Sequence, residues 1–301
     1  MTTAARILWW WTIVALCCQA SAGAEEDDVR RILAQYDAME DRVTVGVGGA
    51  TARTKNGRTD YVMTALDTQP GTPDPSTLGM GEPINANFYY GGFVRIQAGT
   101  AQTGHVKPKL SKGADHTGTA CVTAVWELKD DTFTMNFTLL PDSSALMVEL
   151  TSRAGAADKT PFLVRFRIYP QSFNRSKHGK PRANFLLSST GKRFESGTIQ
   201  SFGATEKWVY LGDAKYAGKE GGAAVGVDTA TVKDLRIHLG NYAVGADLSF
   251  KPGKTVRCYL VDFGKREIKD APKEVPILMS AEASRFKEWS KSTGPAARGN
   301  Q

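Results

Sequence analysis

Residues 161–170 read PFLVRFRIYP. Phe162, Val164, Phe166 and Ile168 alternate with Leu163, Arg165, Arg167 and Tyr169. Side chains two apart on a strand point to the same side. The segment is therefore predicted to be a strand with one apolar face turned to a core. Arg165, Arg167 and Tyr169 then stand in a line on the opposite face.

The same period extends outward from this stretch. Phe133, Met135, Phe137 and Leu139 alternate with Thr134, Asn136 and Thr138. Tyr242, Val244, Ala246, Leu248 and Phe250 do so later, and Val256, Cys258 and Leu260 follow. Short turn-like stretches connect such segments: Lys129-Asp130-Asp131, the four residues 141–144, and the four residues 251–254 (Lys-Pro-Gly-Lys). Short turns join antiparallel neighbours, since parallel strands need long crossovers. The pattern predicts an all-β chain, a large antiparallel β-sandwich over about 41–275.

The ends differ. Val29, Ile32, Leu33, Tyr36 and Met39 recur at helical spacing, so 25–40 is predicted to be an N-terminal helix with an acidic first turn. Phe286 and Trp289 share a face after a capping Ser280, which predicts a C-terminal helix over 281–291. The tail 293–301 is small and polar, a composition that favours disorder. Residues 67–87 hold Pro70, Pro73, Pro75 and Pro83 among glycines and read as a loop. One domain spanning 25–292 accommodates all of this.

Residues 1–24 have the form of a cleavable leader. Arg6 precedes an apolar run that ends at Cys18, and 20–22 and 22–24 both offer small-x-small cleavage patterns. The run is shorter than the roughly 20 residues a membrane span requires. The expectation is export to the periplasm or beyond, with no transmembrane segment after cleavage. Export disfavours nucleic acid as a partner, although the formal charge of +7 would suit one. Cys17 and Cys18 leave with the leader. Cys121 and Cys258 remain, and in an oxidising compartment they are candidates for one disulfide; two separate thiols are the alternative.

Several segments together resemble a known group. Residues 161–170, 207–216 (KWVYLGDAKY), 221–228 (GGAAVGVD) and 259–263 (YLVDF), followed by the closing 286–289 helix, are similar to exported bacterial proteins with the galactose-mutarotase-like β-supersandwich. The resemblance covers about half the chain and rests on strand patterns with a few aromatic and glycine markers. It implies the fold, which occurs in sugar epimerases, polysaccharide lyases and accessory domains of glycoside hydrolases. It carries over no catalytic residue, because the histidine and carboxylate contexts of mutarotases find no match here.

No familiar catalytic signature is present. Residues 46–51 begin like a dinucleotide loop but lack its third glycine, and 190–193 lack the first glycine of a phosphate loop. His105, His116, His178 and His238 lack metal-ligand spacing, so neither metal nor cofactor is expected. The candidate ligand-binding residues are Arg165, Arg167 and Tyr169, then Arg175 and His178 in the basic loop 171–182, with Tyr90 and Arg95 as a second aromatic-cation group. Guanidinium groups beside aromatic rings suit a sugar that carries a carboxylate or sulfate. The leading expectation is an exported carbohydrate-binding domain for an acidic glycan. The alternatives are a polysaccharide lyase or sugar epimerase on the same fold, and an envelope scaffold without ligand.

Overall fold

The computed structural model describes residues 43–47, 50–54, 60–66, 76–82, 92–112, 119–140, 143–152, 160–168, 183–195, 199–215, 222–239, 244–252, 255–263 and 268–293. The leader, the predicted helix 25–40 and the tail from 294 lie outside them. In chain order the strands are β1 (Val43–Val47), β2 (Ala50–Thr54), β3 (Asp60–Ala65), β4 (Leu78–Glu82), β5 (Val94–Ala98), β6 (Ala101–Gln102), β7 (Lys109–Lys112), β8 (Ala120–Glu127), β9 (Thr132–Leu139) and β10 (Ala145–Ser152). They continue with β11 (Phe162–Ile168), β12 (Asn184–Ser188), β13 (Arg193–Glu195), β14 (Ile199–Ser201), β15 (Trp208–Asp213), β16 (Ala223–Val227), β17 (Val232–Leu239), β18 (Val244–Phe250) and β19 (Thr255–Asp262). A single described α-helix, α1 (Ala271–Ser292), closes the chain.

The strands form a β-sandwich. One large sheet has nine strands in the order β13-β12-β15-β16-β19-β10-β9-β8-β7, and the other has six, β14-β17-β18-β11-β5-β6. All pairings in these two sheets are antiparallel. A smaller sheet, β2-β1-β3-β4, contains one parallel pair, β1 with β3, which the antiparallel expectation did not include.

The alternation in 161–170 explains the core. Phe162, Val164, Phe166 and Ile168 are all buried to within 1 % of complete exclusion, as are Phe133, Met135, Phe137 and Leu139. The two rows meet across the sandwich: the rings of Phe133 and Phe162 lie 5.9 Å apart edge-on, and those of Phe93 and Phe137 6.2 Å apart. Each such fully buried side chain contributes about 1.5–3 kcal/mol relative to exposure.

Helix α1 covers the far side of the nine-stranded sheet. Tyr259 of β19 stacks on Phe286 at 4.8 Å between centroids, and Phe286 on Trp289 at 5.9 Å. Buried Glu282 fastens the helix to the sheet's end, accepting from Ser143 Oγ at 2.6 Å and Ser144 N at 3.1 Å, with Arg285 beside it at 3.1 Å.

Three sequence expectations about the elements need correction. The helix begins at Ala271, ten residues before the expected start at Ala281; Asp270 caps it by accepting from Lys273 N, and a proline sits in the first turn. Pro276 inside the helix masked this start, because an interior proline removes a backbone donor. β4 lies inside the proline-rich stretch 67–87, paired antiparallel with β3. The turn 251–254 does not make a hairpin: β18 belongs to the six-stranded sheet and β19 to the nine-stranded one, so the chain crosses between layers.

The Cys121–Cys258 disulfide is also overturned; both residues carry thiols. Cys258 shares a register row with Val148, Phe137 and Val122, and it faces the core with them. Cys121 is the neighbour of Val122 in the chain and so points to the opposite face. Two strands, β10 and β9, also stand between β19 and β8. Three strand spacings amount to about 14 Å, twice the roughly 7 Å a bridge spans. Burial pushes the Cys258 thiol well up, so it stays protonated.

Candidate functional site

Among the described residues, the outer face of the six-stranded sheet is the polar one. Arg165 and Arg167 lie there as the alternation predicts, partly exposed between buried neighbours. Register places Arg165 opposite Asp247 of β18 on one side and Arg95 of β5 on the other, while Asp247 is also opposite Arg236 of β17. Ser201 of β14 completes this row. One step along the strands, a second row runs Ile199, His238, Gly245, Arg167. Sequence-distant residues thus share one polar surface because four strand pairings bring them into line.

Arg165 grips Asp247 with both ends of its fork, Nε to Oδ1 at 2.6 Å and Nη2 to Oδ2 at 2.7 Å. Such bidentate pairs are shorter and stronger than neutral hydrogen bonds. His238 Nε2 stands 3.2 Å from the same Oδ2. Asp247 is almost covered, its side chain 10 % exposed, while those of Arg165 and His238 keep 32 % and 39 %. The Asp247 carboxylate is thereby fixed in orientation by Arg165, with His238 Nε2 beside it but not hydrogen-bonded to it. Arg95 donates to Gln102 across the β5–β6 hairpin.

At the near edge, Asp234 accepts from Ser201 Oγ at 2.7 Å, Arg236 Nε at 2.9 Å and Gly203 N at 3.3 Å. Burial raises its pKa, but these hydrogen bonds and the Arg236 charge outweigh burial, and the carboxyl ends below its ordinary range.

Gly245 leaves the floor bare between His238 and Arg167; a Cβ there would reach no closer than 3.7 Å to His238. Ile199, 66 % exposed, is the one exposed large apolar side chain among the described residues, and it is the cross-strand partner of His238. The face combines fixed donors, a fixed acceptor and one apolar contact around a gap.

Of the predicted site residues, the structure brings Arg165, Arg167 and Arg95 together on this face. Tyr169, Arg175, His178 and Tyr90 lie outside the described residues. Sequence reading missed Asp247, His238, Arg236 and Ile199. The spacing of Arg236 and His238 in VKDLRIHL (232–239) was a signal for two of them, since both fall on the non-core face. Among the described residues no cluster of His, Cys, Asp and Glu could hold a metal ion, and no helix is long and apolar enough to cross a membrane.

Comparison with solved structures finds distant likenesses. A candidate aldose 1-epimerase from Klebsiella pneumoniae aligns at 9 % identity over 62 % of this chain and 59 % of that one, with a TM-score of 0.38. The GH36 alpha-galactosidase AgaB from Geobacillus stearothermophilus aligns at 9 % identity over 77 % of this chain and 41 % of that one, TM-score 0.40. An alpha-galactosidase from Lactobacillus brevis aligns at 9 % identity, covering 66 % of this chain and 34 % of that one, TM-score 0.34. The chain therefore spans less than two thirds of each of these proteins. At such scores none of them transfers an activity or a residue role. No family model and no curated protein matches.

Proposed function

We propose that this is an exported carbohydrate-binding protein whose recognition surface is the outer face of the six-stranded sheet. The observation that carries the reading is the Arg165–Asp247–His238 array beside Ile199 and the bare floor at Gly245. Sugars offer vicinal hydroxyls, which donate to a carboxylate and accept from a guanidinium at once. Their C–H faces rest on an apolar side chain. Among the described residues, four arginines (Arg95, Arg165, Arg167, Arg236) stand against two aspartates (Asp234, Asp247) on this face, a positive excess that favours a glycan bearing carboxylate or sulfate. The distant likenesses name sugar-acting enzymes; the proposal is compatible with them and does not rest on them.

Calorimetry against polygalacturonate and a neutral glucan tests the reading, with Arg165→Ala/Arg167→Ala beside the wild type. The acidic polymer should bind more tightly, and less so as salt rises. Equal binding of both polymers, or a folded double variant that binds as before, would overturn it.

One observation supports a second reading, an epimerase or lyase. The side chain of His238 is partly exposed and its Nε2 lies 3.2 Å from the Asp247 carboxylate, close enough for a proton relay to form on ligand binding. Turnover of an acidic polysaccharide or aldose that His238→Gln abolishes, with binding intact, would select it.

A further inference from the structure

The opposite side of the molecule holds a cleft of about 770 Å³ between α1 and the β15–β16–β19 part of the nine-stranded sheet. That volume lies within the usual range for small-molecule sites. One wall is a single helix face. Ser280, Ala283, Ser284, Lys287, Ser290 and Lys291 recur at three- and four-residue spacing, and the small side chains of Ser280, Ala283, Ser284 and Ser290 leave room beside the helix for the two lysines to reach over. The other wall carries Trp208 and Tyr259, with Lys207 and Asp228 at the rim.

Three features give this cleft a chemistry. First, the Tyr259 hydroxyl is buried and has no hydrogen-bond partner, although its residue is only 1 % exposed; Ser290 Oγ is in the same condition. A buried hydroxyl left unpaired is costly, and a polar ligand seated against it would supply the missing partner. Second, the ammonium groups of Lys207, Lys287 and Lys291 form no ion pair among the described residues, while the one lining carboxylate, Asp228, already accepts from Ala230 N at 2.9 Å in its own turn. Third, Trp208, Tyr259 and Phe286 form the aromatic floor of the cleft, with Trp208 and Phe286 each 6 % exposed, so that a saturated ring meets their edges.

We infer that this cleft binds a small hydroxylated ring carrying a carboxylate, a sugar acid of one or two rings. The lysines take the carboxylate, the unpaired hydroxyls of Tyr259 and Ser290 take ring hydroxyls, and the aromatic edges meet the C–H face. The site lies on the other layer of the sandwich from the arginine face and does not depend on the function proposed for that face.

The test is titration of the full protein with D-glucuronate, followed by tryptophan fluorescence and calorimetry. D-glucose (same ring, no charge) and cyclohexanecarboxylate (same charge, no hydroxyls) run beside it. D-glucuronate should bind in preference to both. Lys287→Ala/Lys291→Ala, both on exposed positions, should weaken it by about tenfold or more. Tyr259→Phe, which keeps the ring and removes only the hydroxyl, should weaken it by a smaller factor. In the Arg165→Ala/Arg167→Ala background, which disables the sheet face, the tryptophan-fluorescence response and its dependence on the lysine pair should persist, which separates this cleft from the sheet face. No saturable response to D-glucuronate, equal binding of either control, or binding indifferent to the lysine pair would overturn the inference.

Discussion

The two large sheets present opposite outer faces. That of the nine-stranded sheet carries Met147, Phe185, Tyr210, Ala224, Tyr259, Val261 and Phe263, all buried, and α1 lies over part of it. That of the six-stranded sheet carries Arg95, Arg165, Arg167, Arg236, Asp247 and His238; Arg236 is exposed, Arg95, Arg165, Arg167 and His238 are partly so, and Asp247 is nearly covered. Both sheets turn an apolar face to the same core, so the contrast resides wholly in the residues at the other parity of each strand. A strand that is apolar at every position, such as AAVGV in β16, requires a second cover, whereas one that alternates, such as FLVRFRI in β11, leaves its second face available.

The contrast is most easily broken at Phe286. Phe286→Ala should cost about 3–5 kcal/mol, because it opens a cavity among Tyr259, Trp289 and the sheet. Urea denaturation measures it; a loss below about 1 kcal/mol would mean that the helix is not integral to the fold. On the other face, Arg165→Ala should cost about 1–3 kcal/mol, since it leaves Asp247, 10 % exposed, without its bidentate partner. A loss as large as that at Phe286 would show that the polar face supports stability rather than recognition.

The finest distinction is in pH. Asp234 on the polar face has a depressed pKa, so its contribution is present above its ordinary 3.8 and is lost as pH falls through the lowered value. Tyr259 on the covered face has its pKa raised by burial and by Glu282, so its contribution holds below its ordinary 10.0 and is lost as pH rises beyond it. Asp234 should therefore contribute to the acid limb, together with Glu206, whose pKa is also lowered, and Tyr259 to the alkaline limb. Melting temperatures of Asp234→Asn and Tyr259→Phe against pH check this: the first should flatten the acid limb only, the second the alkaline limb only.

Legibility in the sequence follows the same division. The polar face can be read because alternation exposes it: parity alone places Arg165 and Arg167. Their partners cannot be read this way, since Asp247 and Arg95 meet Arg165 only through the registers of β18 and β5, which no local pattern encodes. On the covered face, Tyr259 sits over Gly226, where an added Cβ would lie 1.9 Å from the ring. The glycine marker in 221–228 is visible, but its reason is a ring from a strand over thirty residues later. The turn 251–254 resembles a hairpin because turn chemistry reports a reversal and not which layer receives the next strand. The cysteines mislead for a related reason, since pairing in a sheet depends on face and strand order more than on oxidation.

The position of β19 has a consequence for how the chain is made. It is the last strand to be synthesised among those described, yet it lies near the middle of the nine-stranded sheet, joining β16 on one side to β10 on the other. Until residue 262 has left the ribosome, that sheet exists as two fragments, and β16 and β10 each present an unpaired edge lined with apolar side chains. Open edges of this kind pair with other chains. Translation that stalls or stops between β18 and β19 would thus release a product with nearly all of its strands and no closed sheet, a substrate for aggregation and for proteases rather than a smaller working protein.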